Sequence, residues 1–174
     1  RQLKSDVITE QFARIAKMEL RIEVEEVSPA LGWRTRSIAT TNSVGRLGFY
    51  GARSHNVVAI DDCIIMAADM KMPELAARSW KADVRIEIAL SSMKERNIAL
   101  ATKESKARLT EGNQTLHEEV MGKVLEVSQD SFWQSHKKAP EVLTEAVLDF
   151  AQLKSGEHVL DLYGGVGLFT AAII

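Results

Sequence analysis

A chain of 174 residues can bury one sizeable core and begin a second unit, and its 45% hydrophobic and 26% charged content is ordinary for a globular protein. The formal net charge of -2 excludes nucleic-acid binding through overall charge, so any such role must rest on a local patch. One cysteine, Cys63, excludes an internal disulfide and any metal site built from this chain's cysteines alone, and no apolar run reaches membrane-spanning length.

The segment Arg1 to Asp6 has no signal-peptide core, which leads to the expectation of a cytoplasmic protein. Ser5 to Lys17 reads as a helix with an apolar face of Val7, Ile8, Phe12, Ile15 and Ala16, and with Ser5 as its N-cap. Leu20 to Val27 alternates apolar and charged residues, the pattern of a half-buried strand. After a turn at Ser28 to Gly32, three short β-type runs follow at Trp33 to Thr40, Arg46 to Gly51 and Val57 to Ile60, which predicts an antiparallel meander.

Between Glu26 and Asp61 the chain has no acidic residue, yet it carries Arg34, Arg36, Arg46 and Arg53 among Trp33, Phe49 and Tyr50. Arg34 and Arg36 are two apart, so a strand would project them from one face. Two readings stand. Guanidinium groups beside aromatic rings on a sheet suit RNA phosphates and splayed bases; alternatively, Trp33 and Phe49 are core residues and the arginines are solvated.

Further on, Pro73 to Trp80 predicts a helix, and Val84 to Leu90 and Ile98 to Thr102 predict strands. Residues 103–118 are polar and read as an exposed connection, and Val120 to Val127 as a last strand. Ala139 to Phe150 is an amphipathic helix. The boundary between two units falls near Gln129, giving 1–128 as an α+β unit with an antiparallel sheet and 129–174 as the start of an α/β unit.

The second unit is organised around Val159 to Leu162, an apolar run that passes through Tyr163 and the glycines 164, 165 and 167 into a second apolar run from Leu168. This is how a buried parallel strand enters a helix, with glycines that let a ligand lie against the main chain. A dinucleotide fingerprint would place a small residue where Thr170 stands. An acidic residue four positions before a G-x-G, as Asp161 precedes Gly165 and Gly167, resembles instead the first motif of S-adenosylmethionine-dependent methyltransferases. A purely structural strand-to-helix turn is the competing reading. Because the sheet of such a unit needs further strands, the expectation is a fragment whose catalytic unit has barely begun.

Several segments in order resemble the RNA uracil-5-methyltransferases: Leu31 to Arg36, Arg46 to Phe49, Ser54 to Val58, Asp62-Cys63, Phe132-Trp133-Gln134 and Asp161 to Gly167. The resemblance implies a central RNA-facing domain followed by a Rossmann-like domain that uses S-adenosylmethionine to methylate C5 of a uridine, with ribosomal RNA favoured over transfer RNA. It implies that Gln134 and Tyr163 contact the cofactor beside Asp161, Gly165 and Gly167; the charge pattern, read with it, gives Arg34, Arg36, Arg46 and Arg53 the expected role of steering the RNA. Gly164 and Leu168 depart from the cysteine and the polar residue common at those positions. The family's cysteine nucleophile and its proton-removing carboxylate lie beyond the glycine motif, so no catalytic residue is assigned in this chain, which on its own is expected to be inactive. The resemblance also gives Cys63 a role as fourth ligand of a four-iron, four-sulfur cluster, in an intact protein that supplies the other three. A nonenzymatic RNA-binding module and a methyltransferase for another substrate are the alternative functions.

Overall fold

A computed structural model describes residues 1–27 and 29–174; of the expected turn at 28–32, Ser28 lies outside the described residues. The sequence's alternating runs assemble into a six-stranded antiparallel sheet in the order β3-β2-β1-β4-β5-β6. Its strands are β1 (Arg36–Thr41), β2 (Leu47–Tyr50), β3 (Val57–Ala59), β4 (Arg85–Leu90), β5 (Arg96–Ala101) and β6 (Arg108–Glu111). The expected meander is therefore present as β1 to β3, and a second meander, β4 to β6, joins it along β1 and β4, where Ile38 faces Glu87 and Ala39 faces Ile86.

The connection between the two meanders covers one face of the sheet. It contains a short 3-10 turn and the helix α2 (Met72–Ala76), shorter than expected because the chain leaves the helix before Trp80, whose indole N–H donates to the Leu75 carbonyl at 2.9 Å. Met66, Met70, Met72 and Leu75 from this connection meet Ala39, Leu47, Ile86, Ile88 and Ile98 from the sheet in one buried core. Full burial of each large side chain there contributes ~1.5–3 kcal/mol.

Six expectations are corrected. Leu20 to Val27 is not a strand: Val24 N–H donates to Ser5 Oγ at 3.0 Å, so the segment lies along a helix instead of a strand partner. Ser5 is accordingly a buried residue inside α1 (Gln2–Gln11), not its N-cap, and the helix continues as a π-turn over Phe12–Ala16. The predicted apolar face of α1 stays largely in water, with Val7 and Ile15 exposed.

The 103–118 region is not a connection. It contains β6 and β7 (Thr115–Val120), joined at Gly112 with φ +83, where a Cβ would stand 2.2 Å from the Arg96 carbonyl oxygen. Their few apolar residues hide them in a polar stretch. The single strand expected over Val120 to Val127 is the end of β7 and all of β8 (Lys123–Ser128), because Met121 and Gly122 both adopt positive φ and close a hairpin. Val159 to Leu162 is not a strand either, since no described residue runs beside it to complete a ladder.

After β8 come α3 (Ala139–Ala151), close to its predicted bounds, and α4 (Leu168–Ile173). A second core joins Val120 and Val127 of the hairpin to Trp133 and Leu168, so it draws on both sides of Gln129.

Candidate cofactor cleft and basic sheet face

Two distant stretches of sequence meet in one cleft of about 610 Å³. One wall is Ser131 to Gln134, and the other is Asp161 to Val166 with Leu168 and Phe169. Trp133 is buried in the second core and fixes the first wall, while Phe132 stands exposed on it. The turn opposite is set by left-handed backbone at Tyr163 (φ 63), Gly165 (φ 59) and Gly167 (φ 83), which caps α4. A non-glycine residue in that region costs ~1–2 kcal/mol, a strain found most often where geometry serves a site. Tyr163's side chain is fully exposed.

Asp161 has a partner that the sequence reading did not supply. Thr170 Oγ1 donates to Asp161 Oδ2 at 2.6 Å. Thr170 counts against a dinucleotide fingerprint, but its spacing from Asp161 carries no other visible signal until α4 folds back on the turn. Gly164 lies beside the same carboxylate: a Cβ there would stand 2.9 Å from Asp161 Oδ2. Thus Gln134, Asp161, Tyr163 and Gly165 line one cleft, and Gly167 shapes its edge from outside the lining.

The four arginines do not act as one group. Arg34 and Arg36 line a groove of about 330 Å³ on the face of the six-stranded sheet away from α2, together with Glu87, Asn97 and Ser135. Arg34 Nε donates to the Arg36 carbonyl at 2.9 Å, and its guanidinium lies 5.8 Å from the Trp33 ring centroid. Trp33 in turn stacks on His136 at 5.2 Å. Phe49 packs against the core, while Trp33 is half-buried and belongs to neither core, so the core reading holds for Phe49 and not for Trp33; Tyr50 is exposed.

Arg36 points inward. Its Nη2 is 3.9 Å from Glu118 Oε1, and its Nε and Nη2 are buried without hydrogen-bond partners, as is Glu118 Oε1. Burial lowers the Arg36 pKa, against the pull of Glu118, and burial raises the Glu118 carboxyl against the Ser92 N–H and Arg36. Arg46 is held in an exposed ion pair with Asp61 at 2.8 Å, and Arg53 sits exposed in the β2–β3 turn with φ 53.

The cleft and the groove back onto each other through a short ladder. Thr35 N–H donates to the Ser135 carbonyl at 2.8 Å, and Lys137 N–H donates to the Trp33 carbonyl at 2.9 Å. The strip that carries Arg34 is thereby tied to the strip that carries Gln134. Below it, the β4–β5 turn grips β7: Glu95 accepts from His117 N–H at 2.6 Å, and these hydrogen bonds lower the Glu95 carboxyl's pKa.

Cys63 is a half-buried free thiol packed against the sheet core. A four-sulfur cluster needs three more thiolates, and no cluster of metal-ligating side chains forms among the described residues. The residues present in this chain therefore do not fit that group. Among the described residues no helix is long and apolar enough to cross a membrane.

No protein-family model matches the chain. The chain is 28% identical to an RNA methyltransferase of Streptomyces coelicolor over 99% of its own length and 45% of that protein's. It is 25% identical to the 23S rRNA (uracil(1939)-C(5))-methyltransferase of Dichelobacter nodosus over 79% of its length and 41% of that protein's. Among solved structures, the Pyrococcus abyssi tRNA (uracil-54, C5)-methyltransferase in complex with S-adenosyl-L-homocysteine superposes with a TM-score of 0.69 at 17% identity, over 99% of this chain and 53% of that one. That likeness shows a shared mixed α/β fold. The chain is similar to RNA methyltransferases along nearly its whole length, and it spans about half the length of the relatives it matches.

Proposed function

We propose that the chain is part of an S-adenosylmethionine-dependent RNA methyltransferase of the uracil-5 family, which methylates C5 of a uridine, with ribosomal RNA favoured over transfer RNA and a cytoplasmic location. The observation that carries this reading is the convergence of Gln134, Asp161, Tyr163 and Gly165 on one cleft from two separate stretches of sequence. The relatives' printed names, which include uracil-C5 enzymes for both ribosomal and transfer RNA, support it.

The cleft's chemistry fits the cofactor. A carboxylate with one oxygen held by Thr170 keeps the other available to accept from ribose hydroxyls, the Gln134 amide both donates and accepts, and exposed rings at Phe132 and Tyr163 offer flat apolar surface. S-adenosylmethionine supplies an electrophilic methyl group. Gln134, Asp161, Tyr163, Gly165 and Gly167 bind and orient it, and the left-handed turn at 163–167 sets the main chain against it.

Residues 1–128 then form the RNA-facing unit and 129–174 belong to the cofactor unit, with the hairpin β7–β8 packed across the division. Arg34, Arg46 and Arg53 steer the RNA backbone by long-range attraction, whereas Arg36, expected from the sequence to join them, is buried beside Glu118 and takes no direct part. Uracil C5 becomes nucleophilic only after a nucleophile adds at C6. No residue of this chain is assigned that step. Cys63 lies against the sheet core and takes no part in it, and it enters as a cluster ligand only with thiolates this chain lacks.

The test is transfer of labelled methyl from S-adenosylmethionine to unmodified ribosomal and transfer RNA by the full-length protein. Label at C5 of uridine is expected. Label on another atom, or no labelled RNA, overturns the reading.

A further inference from the structure

The connection between the two meanders covers one face of the six-stranded sheet; on the other face the β5 residues Asn97, Ala99 and Ala101 are buried between taller neighbours, while Ile38 and Tyr50 are exposed. Alternation places Arg36, Ile38 and Thr40 of β1 on the other face, opposite Ala89, Glu87 and Arg85 of β4, and these in turn face Asn97, Ala99 and Ala101 of β5. The β5 residues are short, so the face dips into a trough with taller side chains along its sides. Ile38, 60% exposed, and Tyr50, 57% exposed, stand out from it although both are large and apolar.

Two grooves divide this trough. The first holds Arg34, Arg36 and Glu87; the second, about 430 Å³, holds Tyr50, His55, Asp83, Arg85 and Lys103. Ile38 lines the first and Thr40 the second, so they adjoin across β1, and Arg36 to Thr40 spans ~13 Å of strand. Arg36 is buried against Glu118, so the cations the grooves offer are Arg34, Arg85 and Lys103, against the carboxylates Asp83 and Glu87. One of those carboxylates, Glu87, is paired with Arg85 at 2.7 Å. The Tyr50 and His55 rings meet edge to face at 6.4 Å and both line the second groove.

We propose that this open sheet face is a track for an unpaired segment of RNA, with bases stacked on Tyr50 and His55 and phosphates drawn to Arg85 and Lys103, continuing to Arg34. The proposal rests on the RNA reading above and adds to it a second site and a strand state. Exposed rings flanked by cations on a flat, small-residue sheet suit splayed bases, which a duplex does not present. A protein partner would favour a face whose centre is depleted of charge, and Arg85 and Glu87 stand at the centre of this one.

The experiment measures binding of the full-length protein to unpaired and fully paired RNA of the same sequence, at several salt concentrations, for wild type, Tyr50→Ala/His55→Ala and Arg85→Gln/Lys103→Ala, with urea unfolding confirming that each variant folds. The ring variant is expected to lose about tenfold or more in affinity for unpaired RNA and much less for paired RNA. The charge variant is expected to flatten the slope of log affinity against log salt by about 1.4, the value for two contacts with a single strand. In methyl transfer, both should raise KM for RNA and leave kcat unchanged. Affinities within about twofold of wild type, or equal losses on paired and unpaired RNA, overturn the track; if methyl transfer persists beside unchanged affinities, only the track fails and the face is left to a protein partner. Lost affinity in the variants, with no methyl transfer from wild type, supports the track and sinks the methyltransferase reading.

Discussion

Val84 to Leu90 and Val159 to Leu162 are both short apolar runs broken by charge, yet one is the middle of a sheet and the other is no strand at all. β4 has β1 on one side and β5 on the other, and Ile86 and Ile88 are almost completely buried. In the second run Leu160 is 83% exposed and Leu162 76%. Local pattern gives a segment the capacity to form a strand, and hydrogen-bonding neighbours decide whether it does. The same contrast separates the two functions: the sheet is a rigid platform, and the 158–167 turn is an open edge of a cleft.

The largest effect should come from the tie between the platform and the hairpin. Glu118→Ala leaves the Arg36 guanidinium buried without its counter-charge, and it is expected to cost ~3–5 kcal/mol in urea unfolding. Replacing both residues with apolar side chains of similar size should recover most of that loss; no recovery would mean that Glu118 acts through its hydrogen bond to Ser92 instead.

The contrast between the two apolar runs is sharpened by a matched pair of truncations. Ile86→Ala should cost ~2–5 kcal/mol, whereas Leu160→Ala should stay within ~0.5 kcal/mol. Equal costs in the same denaturation experiment would show that the second run is buried in solution.

Tyr163→Ala should leave thermal unfolding unchanged while weakening S-adenosylhomocysteine binding about tenfold, ~1.4 kcal/mol. A drop in stability with intact binding would make Tyr163 a structural residue.

The smallest effect is on acid stability. Glu95's carboxyl titrates lower in the folded chain than in the unfolded one because His117 donates to it. Its contribution is full above the ordinary carboxylate pKa of ~4.3, and it is lost as pH falls through the lowered folded value. Glu95→Gln should therefore flatten the acid limb of the stability profile below about pH 4; an unchanged limb would remove this contact from the account.

Much of the sheet was legible because β4 alternates apolar and charged residues as far as Ile88, β5 holds a short apolar run, and turn residues separate the first meander. What stayed hidden depended on partners distant in sequence. Leu20 to Val27 has the alternation of a strand, but Ser5 and Thr9 of α1 take its N–H groups. β6 and β7 contain too few apolar residues to stand out from the charged stretch around them. In the cleft, Gln134, Asp161, Tyr163 and Gly165 could be named from motif resemblance, while Thr170 could not, since its hydroxyl reaches Asp161 only through the fold of α4. On the sheet, a count of arginines pointed to Arg36, Arg46 and Arg53 with Arg34. Burial of Arg36, the ion pair of Arg46 and the open position of Arg85 are visible only once strand register is known.

The most direct test of the cleft is calorimetric titration of the full-length protein with S-adenosylhomocysteine, for wild type, Gln134→Ala and Asp161→Asn. Binding to wild type, weakened at least about tenfold (~1.4 kcal/mol) in each variant with urea midpoints unchanged, is the predicted result. Binding that is absent from wild type, or equally tight in both variants, would contradict the assignment of this cleft to the cofactor.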